Sequence, residues 1–313
     1  MANLIQNNIQ CTSKESPEVF YNAMEASQTL EKGYIDVIPG VKNASINLDK
    51  LTVGTGMVQQ DLRDCAWNPS EGTSLGSKNV TIADLKVNAE QCIDALDCLF
   101  AQEKYKATKR GEMAPEFQDL LLARLGKGVG LDIERLIWSG DTASGDPVDG
   151  IYTEGSQDMN TIKVQGTTIN ASNVLTEAEK VYAAIPQSVL DEQFVNGEDA
   201  AVSVFMAPTD YRYLRQALST TPTDVNVTLP SWTVDNGEIA YMGIKFRAVA
   251  GLQTGKMVAG AKYNFKFVTN LLEDAVLNAA RGASLKDENV LYIKAQFRAK
   301  ATYVNSDEVV IYG

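Results

Sequence analysis

At 313 residues the chain is long enough to bury a substantial core and to divide into subdomains. Its residues are 44% hydrophobic and 22% charged, as in an ordinary globular protein, and 28 basic against 40 acidic side chains leave a net charge of −12. So acidic a chain does not grip phosphate backbones broadly. With no histidine anywhere, it has no Ser–His or Cys–His nucleophile pair and lacks the commonest transition-metal ligand.

No run of about 18 apolar residues exists, the length a membrane-crossing helix needs. The start, MANLIQNNIQ, lacks the basic-then-apolar order of a signal peptide and has no glycine at position 2 for acylation. These features predict a chain that stays in a cytosol, with Cys11, Cys65, Cys92 and Cys98 as reduced thiols. Cys92 and Cys98 are six apart, on different faces of a helix, and fit no zinc spacing. No metal, cofactor or catalytic site is expected.

Residues 1–15 are polar and aperiodic, the pattern of an arm that orders only on a partner. Over 16–30 a Ser-Pro-Glu start, with Val19, Ala23, Ala26 and Leu30 on one face, predicts a short amphipathic helix. From 33 to 87 the period changes to two. Ile46, Leu48, Leu51 and Val53 mark one flank, and Val80, Ile82, Leu85 and Val87 the other. The stretch between, 54–79, is rich in Gly, Ser, Asn and charge; it is too long for a simple connection and cannot bury a core of its own. Trp67 near its middle is a residue type that anchors interfaces, so the excursion is read as lying on another chain. The alternative is a surface loop with Trp67 folded back on its own subunit.

Residues 89–111 read as a helix followed by a basic stretch, Lys104, Lys106, Lys109 and Arg110 around Tyr105, either solvated or set against phosphate or acidic neighbours. The longest element follows. Over 114–139, APEFQDLLLARLGKGVGLDIERLIWS, an i+4 row of Phe117, Leu121, Leu125, Val129 and Ile133 is widened by Leu122, Leu136 and Ile137. Pro115 suits a first turn, Glu116 and Asp119 suit the positive end of the dipole, and Gly140 closes the helix. At roughly 1.5 Å per residue this is a rod of about 39 Å. Gly126, Gly128 and Gly130 lie inside it, each costing on the order of 1 kcal/mol relative to Ala, and mark a softened middle.

Residues 139–155, SGDTASGDPVDGIYTEG, are turn chemistry throughout, without the spacing of a calcium loop or the Gly-Lys-Ser/Thr of a phosphate loop. The run Gly126-Lys127-Gly128-Val129-Gly130 has no strand before it and is a weak nucleotide-loop match. Between 171 and 278, helices and strands alternate: helices over 174–185 and 210–218, strands over 201–206, 239–249 with a break at Gly243, and 257–268. That is a compact α/β subdomain. The tail alternates strictly from Leu291 to Tyr303, about 43 Å of strand. A turn at Asn305-Ser306-Asp307 is expected to return the chain into 309–312. The matched lengths predict a terminal hairpin packed along the long helix.

A polar arm, a β excursion, a long helix ending in Ser139-Gly140-Asp141 and then Asp149-Gly150-Ile151, an α/β subdomain, and a terminal strand pair closing on Glu308-Val309-Val310: in this order the chain resembles the major capsid proteins of tailed bacteriophages, the Hong Kong 97 fold. The resemblance covers nearly the whole chain and lies in the order of elements, since the family has no invariant catalytic motif. It implies an α+β fold with an N-terminal arm and short helix (1–32) and an extended β-hairpin loop that overlaps a neighbouring subunit (33–92). A peripheral domain is built on the spine helix (93–151) and completed by a β-hairpin (285–313), beside an α/β axial domain (152–284). The implied role is structural and not enzymatic: assembly in a bacterial host cytoplasm into pentamers and hexamers of an icosahedral virion shell. Implied partners are other copies of the chain, a separate scaffolding protein, a portal and decoration proteins, with double-stranded DNA enclosed without sequence reading and no membrane. Trp67, Asn68, Lys78 and Arg124 are the candidate assembly-interface residues, while Gly126, Gly128 and Gly130 would give the spine its flexibility. Only a short segment precedes the excursion, which is why the scaffold is expected to be a separate protein. Lys50 and Lys78 flank the excursion, yet no acceptor Asn can be placed, so the Lys–Asn isopeptide bond of some relatives is not expected.

Two other readings stay open at this point. An encapsulin shares the fold but stores cargo enzymes, and should begin with a cargo-holding helix where this chain has the arm-like MANLIQNNIQCTSKES. A soluble enzyme working on carboxylates would use Asp141, Asp146 and Asp149, which read more simply as turn residues.

Overall fold

The computed structural model describes residues 27–53, 73–92, 117–196, 202–220, 231–235, 237–270, 276–281 and 290–313. A single turn, α1 (Gln28–Glu31), leads into β1 (Asp36–Ile38). The strands β2 (Ser45–Val53) and β3 (Thr73–Thr81) pair with each other from Ser45↔Thr81 to Val53↔Thr73 and form a two-stranded sheet of their own. One residue later β4 (Ala83–Cys92) begins, and then the long helix α2 (Phe117–Ser139). Next come α3 (Ile151–Gln157), β5 (Ile162–Val164), α4 (Val174–Ala183), α5 (Gln187–Asn196), β6 (Val202–Met206) and α6 (Pro208–Thr220). The strands β7 (Trp232–Asp235), β8 (Glu238–Tyr241), β9 (Ile244–Ala248), β10 (Met257–Ala261), β11 (Phe265–Thr269), β12 (Val276–Arg281), β13 (Val290–Tyr303) and β14 (Val310–Tyr312) complete the described chain.

The strictly alternating tail becomes β13, around which a five-stranded sheet is built: β4 runs antiparallel along one edge, while β12 and β11 share the other, and β1 adds to β11 in parallel. The inward residues of that alternation, Phe297, Ala299, Ala301 and Tyr303, pack with Val129, Ile133, Ile137 and Trp138 of α2 in one core. The second sheet has seven strands in the order β5-β14-β10-β6-β9-β8-β7. In β6, β10 and β14 every residue is buried, as for strands covered on both faces. Val204 and Met206 join Val174, Ala178 and Val181 of α4 and Leu214 of α6, while Phe205 points the other way, onto Trp138. β6 is therefore the wall between the two cores.

Several expectations need correction. The terminal strand does not fold back on β13: β14 inserts between β5 and β10 of the other sheet, so the tail is a crossover and not a hairpin. Within 257–268, expected as one strand, Lys262–Asn264 form a 3-10 turn, after which β10 and β11 belong to different sheets. Asn264 fixes that turn: its side-chain Oδ1 accepts from Val304 N at 3.0 Å and Asn305 N at 2.7 Å. Residues 89–92, expected to start a helix, continue β4 in register with β13, Ala89↔Ile293 to Cys92↔Val290. Of the helix expected over 16–30, only the last turn falls among the described residues, and the basic stretch at 104–110 lies outside them. The break at Gly243 is confirmed: Met242 (φ 48°) and Gly243 (φ 88°) make the tight turn between β8 and β9 that needs two positive φ values.

Candidate assembly surfaces

The β2–β3 hairpin is nearly bare. Of its described side chains only Leu48 and Val80 are buried, and Leu75 is 73% exposed. An isolated two-stranded hairpin is marginal in water, so this one depends on its anchors. Ile82, buried between β3 and β4, donates its N–H to Ala44 O at 2.8 Å. Lys78 Nζ donates to Glu154 Oε1 at 2.6 Å, Tyr303 O at 2.8 Å and Thr302 Oγ1 at 3.1 Å, and sits 3.8 Å from the centre of the Tyr303 ring. An ammonium has three N–H groups, and all three are used. Lys50 pairs with Asp307 at 3.0 Å, with the Asp side chain 69% exposed, and such a pair contributes about 1 kcal/mol at most.

On the spine, Gly130, Glu134 and Trp138 form a second i+4 row beside the apolar face. Glu134 is buried, and its carboxylate accepts from Ser27 Oγ, from Thr29 N at 2.9 Å and from Thr29 Oγ1 at 2.5 Å. Trp138 Nε1 donates to the same Thr29 hydroxyl at 2.8 Å. These bonds fix α1 to the spine. Below the helix, Arg135 grips Asp146 through two bonds of 2.7 Å, and that hydrogen bonding holds the Asp146 carboxyl below the usual range. Asp141 caps the 3-10 turn at Ala143 N, and Asp149 accepts from Thr142 N and Oγ1. Gly140 and Gly150 let the two arms of this elbow touch: a Cβ on Gly150 would lie 2.6 Å from the Trp138 carbonyl carbon. All three aspartates hold the turn, as the simpler reading expected.

Between α2 and the β4–β13 face lies an open groove of about 900 Å³, floored by Leu85, Val87, Ile133 and Phe297 and rimmed by Asp84 and Arg298, which pair with each other. In the seven-stranded sheet, the buried Glu177 works against its own desolvation through bonds from Lys180, Tyr312 and Thr167, which hold its carboxyl low. Asp210 is the opposite case. It is fully buried, its Oδ2 accepts from Gly255 N at 2.7 Å, its Oδ1 has no partner, and burial pushes its carboxyl up.

Trp67 and Asn68 lie outside the described residues, and Arg124 lies on α2 with its side chain outside them. Lys78, expected at an interface between copies, bonds Glu154, Thr302 and Tyr303 of its own chain. The spine glycines differ. Gly126 is half-buried, Gly130 is buried, and Gly128 is exposed with nothing within 4 Å of an added Cβ, so close packing does not require glycine at 128. Sequence reasoning missed Glu134 and Glu154. For Glu134 the signal was an acid in line with Gly130 and Trp138; for Glu154 there was none. Among the described residues no group of three or more Cys, Asp or Glu is placed to hold a metal ion, and no helix is long and apolar enough to cross a membrane.

No protein-family model and no curated protein matches the sequence. Solved structures do. A chain of the satellite phage P4 procapsid, which includes the size determination (Sid) protein, is similar with a TM-score of 0.61 at 11% identity, over 94% of this chain and 89% of that one. The capsid of a native GTA particle follows at 0.53 and 12%, over 93% and 89%. A virus-like particle from Pyrococcus furiosus gives 0.52 and 11%, over 95% and 96%. The fold is that of tailed-phage capsid proteins, as the order of elements implied.

Proposed function

We propose that the chain is a major capsid protein, the repeating subunit of an icosahedral shell that encloses the double-stranded DNA of a tailed bacteriophage. The observation that carries the reading is the likeness to a procapsid chain over 94% of the length. In this reading α2 with the five-stranded sheet is the peripheral domain, and the seven-stranded sheet with its helices is the axial domain at the five- and six-fold centres. The bare β2–β3 hairpin is the part that a neighbouring copy covers, which gives each subunit many shared contacts. The subunit works with a separate scaffolding protein, a portal and decoration proteins, and contributes no catalysis. The acidic balance suits an inner wall that does not adhere to packed DNA.

Electron microscopy of the expressed chain, with and without a scaffolding protein, tests the proposal. Closed shells or tubes support it; a dispersed monomer under both conditions overturns it. The similarity to the Pyrococcus furiosus particle favours an encapsulin-type shell as the second reading. The contents separate the two, since a phage shell takes up nucleic acid and an encapsulin takes up protein cargo.

A further inference from the structure

The hairpin and the body share one strand. β3 and β4 run on with only Ile82 between them, so the backbone pairs first with β2 and then, past a single buried residue, with β13. At its other end the hairpin returns to β1 of the same sheet through residues 39–44, where Val41 N donates to Thr269 O and Arg298 Nη1 to Lys42 O, both at 3.2 Å. A lever held only at its base can still swing unless something braces it further out. Beyond those backbone joints three side-chain features act on this one: the Leu48 and Val80 contacts, the Lys50–Asp307 pair, too exposed to hold an angle, and Lys78.

Lys78 differs in kind from the other two. Its side chain leaves β3, crosses to the body and bonds three groups there, on α3 and on the last two residues of β13. The groups it meets are themselves fixed. Thr302 Oγ1 donates to the same Glu154 oxygen at 3.0 Å, and Tyr303 OH donates to Asp158 at 3.0 Å. The Lys78 and Glu154 side chains are 29% and 20% exposed, sheltered enough for the pair to act and wet enough to break and re-form. A greasy contact tolerates sliding, whereas an ammonium held by three acceptors and a ring face tolerates one position.

We propose that Lys78 is a strut that sets the angle of the β2–β3 hairpin about a hinge at Ile82, a positioning residue for the surface the hairpin presents to the next copy. The geometry is that of the single chain; only the purpose rests on the shell reading.

The test uses the full chain before assembly, with its native cysteines replaced by serine and spin labels at Ser77 on the hairpin and Lys163 on β5. Distance distributions are compared for the parent, K78M, E154Q and K50M, with hydrogen exchange of the β2–β3 amides measured alongside. The expected result is a distribution roughly twofold broader in K78M, an intermediate one in E154Q, and no change in K50M, with the hairpin ladder equally protected in all four. Should K78M fail to fold, E154Q decides, because it keeps two of the three bonds and removes the charge partner. A distribution as narrow as the parent's in E154Q and in any folded K78M overturns the proposal. So does broadening that comes with loss of ladder protection, which would make Lys78 a stabiliser of strand pairing and not a strut. Because the readout precedes assembly, a chain that forms no shell yet shows the broadening would sink the shell reading and leave the strut standing.

Discussion

The hairpin is one antiparallel pair of strands and the seven-stranded sheet mixes antiparallel with parallel pairings, but it is in burial that the two are opposites. In β6 and β10 every residue is buried, whereas the described side chains of β2 and β3, on strands of nine residues each, bury only Leu48 and Val80. The sheet carries its own core on two faces. The hairpin carries strand pairing and a few anchors, and needs a surface from elsewhere. One chain thus holds a body with its own core and a limb without one, the division that the proposed shell role asks for.

Changes in the body should break folding first. Phe205 packs against Trp138 at 4.6 Å and Phe265 at 6.0 Å between ring centres, so Phe205→Ala should lower stability by about 4 kcal/mol in urea titrations followed by tryptophan fluorescence. Gly251→Ala comes next: its Cβ would lie 1.9 Å from the Glu134 carbonyl oxygen, backbone against backbone, and a loss of about 3 kcal/mol is expected from the same titration.

Asp210→Asn should act in the other direction. A carboxyl whose pKa is raised by burial binds its proton more tightly in the folded state, so its contribution is most favourable at low pH and is lost as pH rises through the raised value. The variant should gain about 1 kcal/mol at neutral pH, with the gain closing as pH falls. Gly128→Ala, in open space, should stabilise the free chain by up to ~1 kcal/mol while stiffening the spine. Replacing Gly126, Gly128 and Gly130 together should disturb particle expansion, and normal expanded particles would reject the flexibility account. The smallest effect on the free chain belongs to Leu75→Ser, within about 0.5 kcal/mol, but the variant should lower the yield of shells.

Much of this division was legible in the sequence. The i+4 row gave the spine, strict alternation gave β13, and period two gave β2, whose Ile46 faces Val80 as the two marked flanks implied. Less was legible at the start of β3, where Thr73, Ser74, Gly76 and Ser77 surround a single Leu75 and leave no alternation to read. The partners of β14 were not legible at all, since Val-Ile-Tyr suits any buried strand and its choice of β5 and β10 is a long-range matter. The split of β10 from β11 turns on Asn264 reaching Val304 and Asn305, about 40 residues away in sequence, which no local window contains. Lys78 was singled out for flanking the excursion, but its bonds to Glu154, Thr302 and Tyr303 were not legible, because a lysine's partner cannot be read from its neighbours in the chain.

Hydrogen exchange of the β2–β3 amides, read once on the free subunit and once on assembled particles, tests most directly whether the hairpin is completed by a neighbour. Strong slowing at Leu75 and its ladder partner Leu51 on assembly, with the β6 and β10 amides unchanged, is the predicted result. Equal exchange of the hairpin in both states would contradict it.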